Sequence, residues 1–198
     1  MRGQANMNEN ANGYCVFDTA IGPCGISWSA RGITHVQLPE KDRAATEQHI
    51  AKRSHGTPQT PPPQVERAIA EMRRYLAGEP VDFSGISVDL EVSEFHQKLY
   101  AALRKVAWGK TTTYGALGKT IGVDDARDIG QAMGKNPIPV IIPCHRVLAA
   151  GNKIGGFSAP GGIMTKEKLL TLEGVQIGVS EDAPVFPGLF APPQRVSQ

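Results

Sequence analysis

The sequence predicts a small α/β domain with an antiparallel sheet over residues 14–92, followed by a mostly helical domain over 93–178. Three observations carry this reading. Short β-prone runs cluster between residues 14 and 38, helical spacing punctuated by glycine dominates after Ser93, and the formal charge changes sign near residue 92. Residues 1–92 hold 9 Lys/Arg against 11 Asp/Glu, a net of −2, whereas residues 93–178 hold 11 against 6, a net of +5. A +5 segment of that length is a modest polyanion footprint, equally compatible with a solvated face. With 198 residues, of which 40% are hydrophobic, the chain can bury a sizeable core, so global disorder is excluded.

In the first domain, residues 14–17, 25–29 and 33–38 read as three strands in a meander, turned by Gly22-Pro23 and Arg31-Gly32. A short charged helix is expected over 42–52. The following loop, 54–63, holds four prolines, which no helix or central strand tolerates. Val65, Ala68, Ile69, Met72 and Leu76 then repeat at helical spacing up to Gly78, and residues 81–92 are expected to add an edge strand. Residues 1–13 read as a flexible leader and 179–198 as a flexible tail.

In the second domain, Ser93 is placed to cap a helix carrying Phe95, Leu99, Leu103 and Val106 on one face, ended by Gly109. Thr113 can cap a second helix that breaks at Gly122, and Asp124 or Asp125 a third, Ala126 to Met133, that ends at Gly134. Two short helices joined by a tight glycine-containing turn meet the requirement of a helix-turn-helix. Residues 136–147 contain three prolines and an apolar run, which reads as a buried extended segment delivering Cys144 and His145 at its end. A glycine-rich loop, 155–162, and a last helix, 165–172, complete the domain.

No apolar run reaches membrane-spanning length and no secretory signal is recognisable, so a cytoplasmic protein with no membrane partner is expected. The three cysteines, Cys15, Cys24 and Cys144, are too few and too odd in number for a disulfide framework. Cys144, beside His145 and Arg146, is either an activated nucleophile or an inert buried thiol on local composition alone. Neighbours in an extended strand point to opposite faces, so His145 reaches Cys144 only through a turn or a water. Cys15, Cys24, His35 and His96 show neither a CxxC nor a paired-His spacing, and no metal is expected.

Pro143-Cys144-His145-Arg146-Val147, preceded by Asn136-Pro137, by residues 127–133 (RDIGQAM) and by Thr112-Thr113-Tyr114-Gly115, closely resembles the O6-alkylguanine-DNA alkyltransferase family, the methylated-DNA–protein-cysteine methyltransferases. Gly155-Gly156-Phe157-Ser158 and residues 166–174 (KEKLLTLEG) extend the resemblance, which covers residues 93–178. It implies a ribonuclease H-like first domain and a winged helix-turn-helix second domain. It also implies single-turnover repair: Cys144 takes a methyl or other alkyl group from O6 of a flipped-out guanine, or from O4 of thymine, in double-stranded DNA. No cofactor is implied, and the protein is expected to be a monomer.

Residue by residue, the resemblance makes His145 the general base acting through a water and Glu173 the acid that orients it. Tyr114 donates toward the purine as O6 leaves and supports phosphate rotation. Arg127 enters the base stack, a task suited to a planar cation at the start of a recognition helix. Thr113, Ala126 and Gly130 join it at the DNA, where Gly130, Ala132 and Gly134 keep the helix thin enough for a minor groove. Asn136 tethers the turn, Pro143 supports it, and Val147 and Ser158 shape the pocket. Two rival readings stand beside this one. A lesion-binding or regulatory relative would lack the cysteine, and a thiol hydrolase using Cys144 and His145 would have no use for Arg127.

Overall fold

The structure, a computed structural model, describes residues 12–177. The expected tail and nearly all of the expected leader lie outside them; Gly13, assigned to the leader, instead opens the first strand. Strands β1 (Gly13–Thr19), β2 (Gly22–Ser29) and β3 (Gly32–Gln37) form the antiparallel meander, with Cys15 opposite Ile26 and Phe17 opposite Cys24. Helix α1 (Arg43–Arg53) is capped by Asp42 through the Ala45 amide and sets Ile50 above Gly25 of the central strand. The proline-rich loop contributes a two-residue strand, β4 (Thr57–Pro58), parallel to β1 at the sheet edge, giving the order β3-β2-β1-β4. An edge is where a residue without an amide proton is tolerated.

Helix α2 (Pro63–Leu76) starts on Pro63, whose missing N–H would be unsatisfied there in any case, and buries Val65, Ala68, Ile69, Met72, Tyr75 and Leu76. Residues 81–92 do not form the expected strand. Asp82 caps a 3₁₀ turn at Phe83–Gly85, and only one bridge follows, where the Ile33 amide donates to Ser87 and the Asp89 amide to Ile33, padding the open edge of β3. The turn interrupts the alternation that a strand needs.

Helix α3 (Glu94–Leu103) follows, shorter than the apolar stripe to Val106 suggested. Ser93 stands at its N-cap position, but its hydroxyl pairs with His96 Nδ1 and not with a backbone amide. Strand β5 (Thr112–Thr113) leads into α4 (Tyr114–Ile121), capped by Thr113 and closed by Gly122 at φ 76°; α5 (Ala126–Met133) is capped by Asp125 and ends at Gly134. These two helices are the helix-turn-helix. Strand β6 (Val147–Leu148) pairs in parallel with β5, fastening the start of α4 to the chain just past Cys144. Helix α6 (Gly162–Leu172) begins three residues earlier than expected, and Glu173 stands at its C-terminal cap.

One core runs without interruption through both halves, from Ile26 and Met72 to Leu99, Ile129, Ile142 and Leu169. Its continuity fixes the helical half against the sheet, and the Val36 amide adds a hydrogen bond to the Pro137 carbonyl.

The turn between α4 and α5 depends on Gly118, where a Cβ would sit 2.4 Å from the Val123 carbonyl oxygen. Gly118→Ala is therefore expected to destabilise the fold by about 2 kcal/mol in urea denaturation. Gly115, on the same helix with open space around it, gives the opposite result: Gly115→Ala stabilises by about 0.5 to 1 kcal/mol.

Candidate active site

The segment that carries the cysteine bends at residues 137–138 and turns at 140–141, and does not run extended to the cysteine. Val140 takes a left-handed conformation, φ 76°, and Cys144–Arg146 form a 3₁₀ turn, so the expectation of an extended chain through the cysteine is corrected. Proline removes amide donors but is compatible with such turns, and here Pro143 occupies the position before the turn. Because of that turn, successive side chains fan out and do not alternate.

Cys144 is 7% exposed and lines a cleft of about 440 Å³ with Tyr114, Gly130, Met133, Gly134, Gly156, Phe157 and Ser158. The volume falls within the range of small-molecule sites. Two wider clefts, of about 560 and 670 Å³, contain no cysteine. Asn136 holds the thiol in place: its Nδ2 donates to Cys144 Sγ at 3.2 Å and to the Ile142 carbonyl at 2.8 Å, while its Oδ1 accepts from the Ile138 amide. Gly155, at φ 67°, is needed where it stands, since a Cβ would come within 3.2 Å of the Tyr114 hydroxyl.

Burial raises the Cys144 thiol, and the Asn136 hydrogen bond and the nearby Lys166 ammonium only partly oppose it. Cys144 is thus a thiol at rest. Lys166, fully buried, donates to the carbonyls of Val147 and Gly156 and lies 5.9 Å from the centre of the Tyr114 ring; burial pushes it down to about 8. Burial also raises the Tyr114 phenol, which keeps it a donor.

Behind the cysteine, His145 and Glu173 are both wholly removed from solvent, joined from Nε2 to Oε1 at 2.8 Å. Glu173 Oε1 also accepts from the Tyr75 hydroxyl at 2.5 Å and from Arg146 Nη2 at 2.9 Å, and Oε2 accepts from Arg146 Nε and the Gly109 amide. Burial pushes the Glu173 carboxyl up, but the hydrogen bonds from His145, Arg146 and Tyr75 outweigh it and hold it at about 2. Burial lowers the imidazole, with Glu173 opposing, and His145 Nδ1 has no partner among the described residues.

Sequence reasoning named Cys144, His145, Glu173, Asn136, Tyr114 and Ser158, and the structure gathers them within one pocket and its rear wall. Val147 is fully buried behind the pocket and does not line it. Thr113 serves as the α4 cap. Ala126 and Arg127 are exposed at the start of α5, apart from the cysteine, and Arg127 folds back onto Asp125, not onto Asp124 or Asp128. Gly130 and Gly134 face the cleft, but Ala132 turns inward to the core, so the thin side of α5 consists of the two glycines. Arg146 points to Glu173, and the cation whose charge acts on the thiol is Lys166.

Tyr75, Arg146 and Lys166 were missed as site residues. A signal existed for two of them. Tyr75 is a hydroxyl-bearing residue within a buried helical stripe, where the hydroxyl must find a partner. Lys166 and Glu173 stand at i and i+7 on the stripe that also carries Leu169 and Leu170, so both charges had to point inward.

Cys15 and Cys24 lie in the sheet, pushed by burial up to about 11 and about 12, and remain protonated. Among the described residues no group of three His, Cys, Asp or Glu side chains converges, and no helix is long and apolar enough to cross a membrane.

Glu173 stays ionised in the folded chain down to about pH 2, whereas the unperturbed carboxyl takes up its proton near 4.5. Its contribution to stability is complete above about pH 4.5 and is lost as pH falls from there through 2. Glu173→Gln is expected to lower stability at pH 7 by about 3 kcal/mol, because it leaves buried donors unpaired. Chemical denaturation at pH 7 and pH 3 checks both points: the gap between the two proteins narrows at the lower pH.

Residues 94–175 match the family model of the 6-O-methylguanine DNA methyltransferase DNA binding domain, and residues 13–90 that of its ribonuclease-like domain. The methylated-DNA–protein-cysteine methyltransferase of Mycobacterium bovis is 34% identical over 161 residues, covering 81% of this chain and 91% of that one. That of Sulfolobus acidocaldarius is 33% identical over 164 residues, covering 83% and 94%. The crystal structure of Mycobacterium tuberculosis OGT in complex with DNA superposes with a TM-score of 0.66 at 34% identity, over 81% of this chain and 92% of that one. With both domains matched in order and the relatives covered nearly end to end, the chain belongs to the 6-O-methylguanine DNA methyltransferase family.

Proposed function

We propose that this protein repairs DNA as a methylated-DNA–protein-cysteine methyltransferase, moving a methyl or other alkyl group from O6 of guanine, or O4 of thymine, irreversibly to Cys144. The observation that carries this reading is a buried thiol, tethered by Asn136 in a cleft of ligand size, in front of a buried His–Glu pair whose Nδ1 has no partner among the described residues. A thiol kept neutral by burial needs a base. His145 Nδ1 takes the Sγ proton through one water, and Glu173 stabilises the imidazolium that results. The S–C bond forms in line as the C–O6 bond breaks. The electron pair passes to O6 and the purine, where the Tyr114 hydroxyl donates toward the charge that develops. The thioether is stable, so each molecule acts once, and the step as written uses no cofactor.

The DNA is met by the helix-turn-helix. Thr113, Ala126 and Gly130 lie along the contact, Arg127 fills the gap left by the flipped nucleotide, and Ser158 and the 155–162 loop close over the base. We place the division of labour at residues 92 and 93, with 14–92 supporting and 93–178 reading DNA. The protein works in the cytoplasm as a monomer on double-stranded DNA.

Incubation with a duplex containing O6-methylguanine is expected to add the mass of a single methyl group to Cys144, in stoichiometric amount, and nothing to Cys144→Ser. Unmodified protein bound to the lesion would instead identify a non-catalytic lesion binder. Arg127→Ala is expected to react with free O6-benzylguanine at the unaltered rate while losing about tenfold or more on duplex. Equal losses on the two substrates would remove Arg127 from the stack.

A further inference from the structure

We propose that Tyr75, on helix α2 of the first domain, is a positioning residue that fixes which nitrogen of His145 carries the proton, so that the first domain takes part in the chemistry of the second. The proposal rests on the reading of His145 as the base for Cys144.

Tyr75 has no exposed surface; its ring packs edge-on against Trp108, with centroids 5.1 Å apart, and tilted against Phe83 at 5.6 Å. The ring is thereby fixed, and its oxygen stands 2.5 Å from Glu173 Oε1 and 2.9 Å from His145 Nε2. A phenol has one proton to give. Burial and the Glu173 charge raise the phenol far above its usual range, so the proton is always present. It goes to the carboxylate, the stronger acceptor. The lone pairs of the Tyr75 oxygen therefore face His145 Nε2, which also faces Glu173 Oε1 at 2.8 Å. Two acceptors converge on one nitrogen, and only the tautomer protonated at Nε2 satisfies both. The basic lone pair is left on Nδ1, the atom with no partner among the described residues.

Glu173 alone is a weaker guide. Its Oε1 is shared with Arg146 Nε and Nη2, at 3.0 and 2.9 Å, so the imidazole competes with a guanidinium for the same oxygen. The charged groups that bear on His145 are Glu173 and Lys166 of α6 and Arg146 of its own turn; Tyr75 of α2 and the Cys144 thiol complete its titratable surroundings. Removing the phenol returns negative charge to Oε1, which favours the imidazolium, and removes the second acceptor that selects the tautomer.

Tyr75→Phe keeps the ring and deletes the oxygen. Relative to the unaltered protein, methylation of Cys144 on lesion duplex is expected to slow by about tenfold, and the acid limb of the pH–rate profile to move up by about half a unit or more. The ¹⁵N shifts of His145 are expected to show an Nδ1–H population, and duplex affinity to stay unchanged. Phe83→Leu loosens the same aromatic cluster without touching the hydrogen bonds and calibrates packing; it is expected to leave rate, profile and tautomer in place. An unchanged rate and profile in Tyr75→Phe overturn the proposal, as does an equal slowing in Phe83→Leu. If the unaltered protein leaves Cys144 unmodified, the alkyl-transfer reading falls and this one with it. Methylation of the unaltered protein together with an indifferent Tyr75→Phe removes Tyr75 alone.

Discussion

Glu173 keeps a negative charge where its side chain has no access to water. An ion so placed is tolerable only when donors surround it, because taking a carboxylate out of water costs several kcal/mol, about as much as the stability of a small domain allows. Its donors come from separated parts of the chain. Tyr75 lies 98 residues away, the Gly109 amide 64, and His145 and Arg146 follow the cysteine directly. The carboxylate therefore brings α2, the loop before β5, the cysteine turn and the end of α6 to one point. Much of the geometry of the site is a consequence of satisfying that single charge.

The nucleophile is governed by the opposite logic. Burial favours the neutral thiol, and Asn136 and Lys166 offset part of that preference without reversing it. A thiol kept protonated reacts slowly with oxidants and stray electrophiles, since the thiolate is the reactive form. For a protein proposed to act once, such restraint preserves the one equivalent it carries. Lys166 remains held by two backbone carbonyls, so its charge is available as a field near Sγ and does not form a direct ion pair.

The sequence was most legible where a local rule decides the outcome. Thr113 and Asp125 cap α4 and α5, Gly122 closes the first of them in a left-handed turn, and alternation with turn glycines predicts the meander. Asn136, Cys144, His145 and Glu173 were named from motif resemblance, and folding brings them together. Legibility failed where tertiary demand overrides local preference. Three prolines read as extended chain, yet the backbone turns at Val140 and again at Cys144, where the 3₁₀ turn leaves the thiol on the cleft and brings both His145 and Arg146 to Glu173. Residues 81–92 have strand composition, but the 3₁₀ turn at Phe83 allows Arg104 to bond the carbonyls of Phe83 and Ile86. Tyr75 was hidden for a different reason. It sits in a buried helical stripe, where its hydroxyl must find a partner, but nothing in the spacing says that the partner lies in the other domain.

The Asp125 side chain does two things at once, accepting from the Arg127 amide at 2.8 Å and from the Arg127 guanidinium at 3.2 and 3.3 Å. The first bond caps the start of α5 and the second parks a side chain that is 88% exposed. An exposed ion pair of this kind is weakly held and screened by salt, whereas the cap is a shorter bond from the backbone amide to Oδ1, which the guanidinium Nε shares at longer range and which persists when the guanidinium leaves. In the proposed role, Arg127 can swing away into the DNA without loosening the helix that carries it. The aspartate then works as a rest for a retracted blade, and its bond to the backbone amide still anchors the hilt once the blade is drawn.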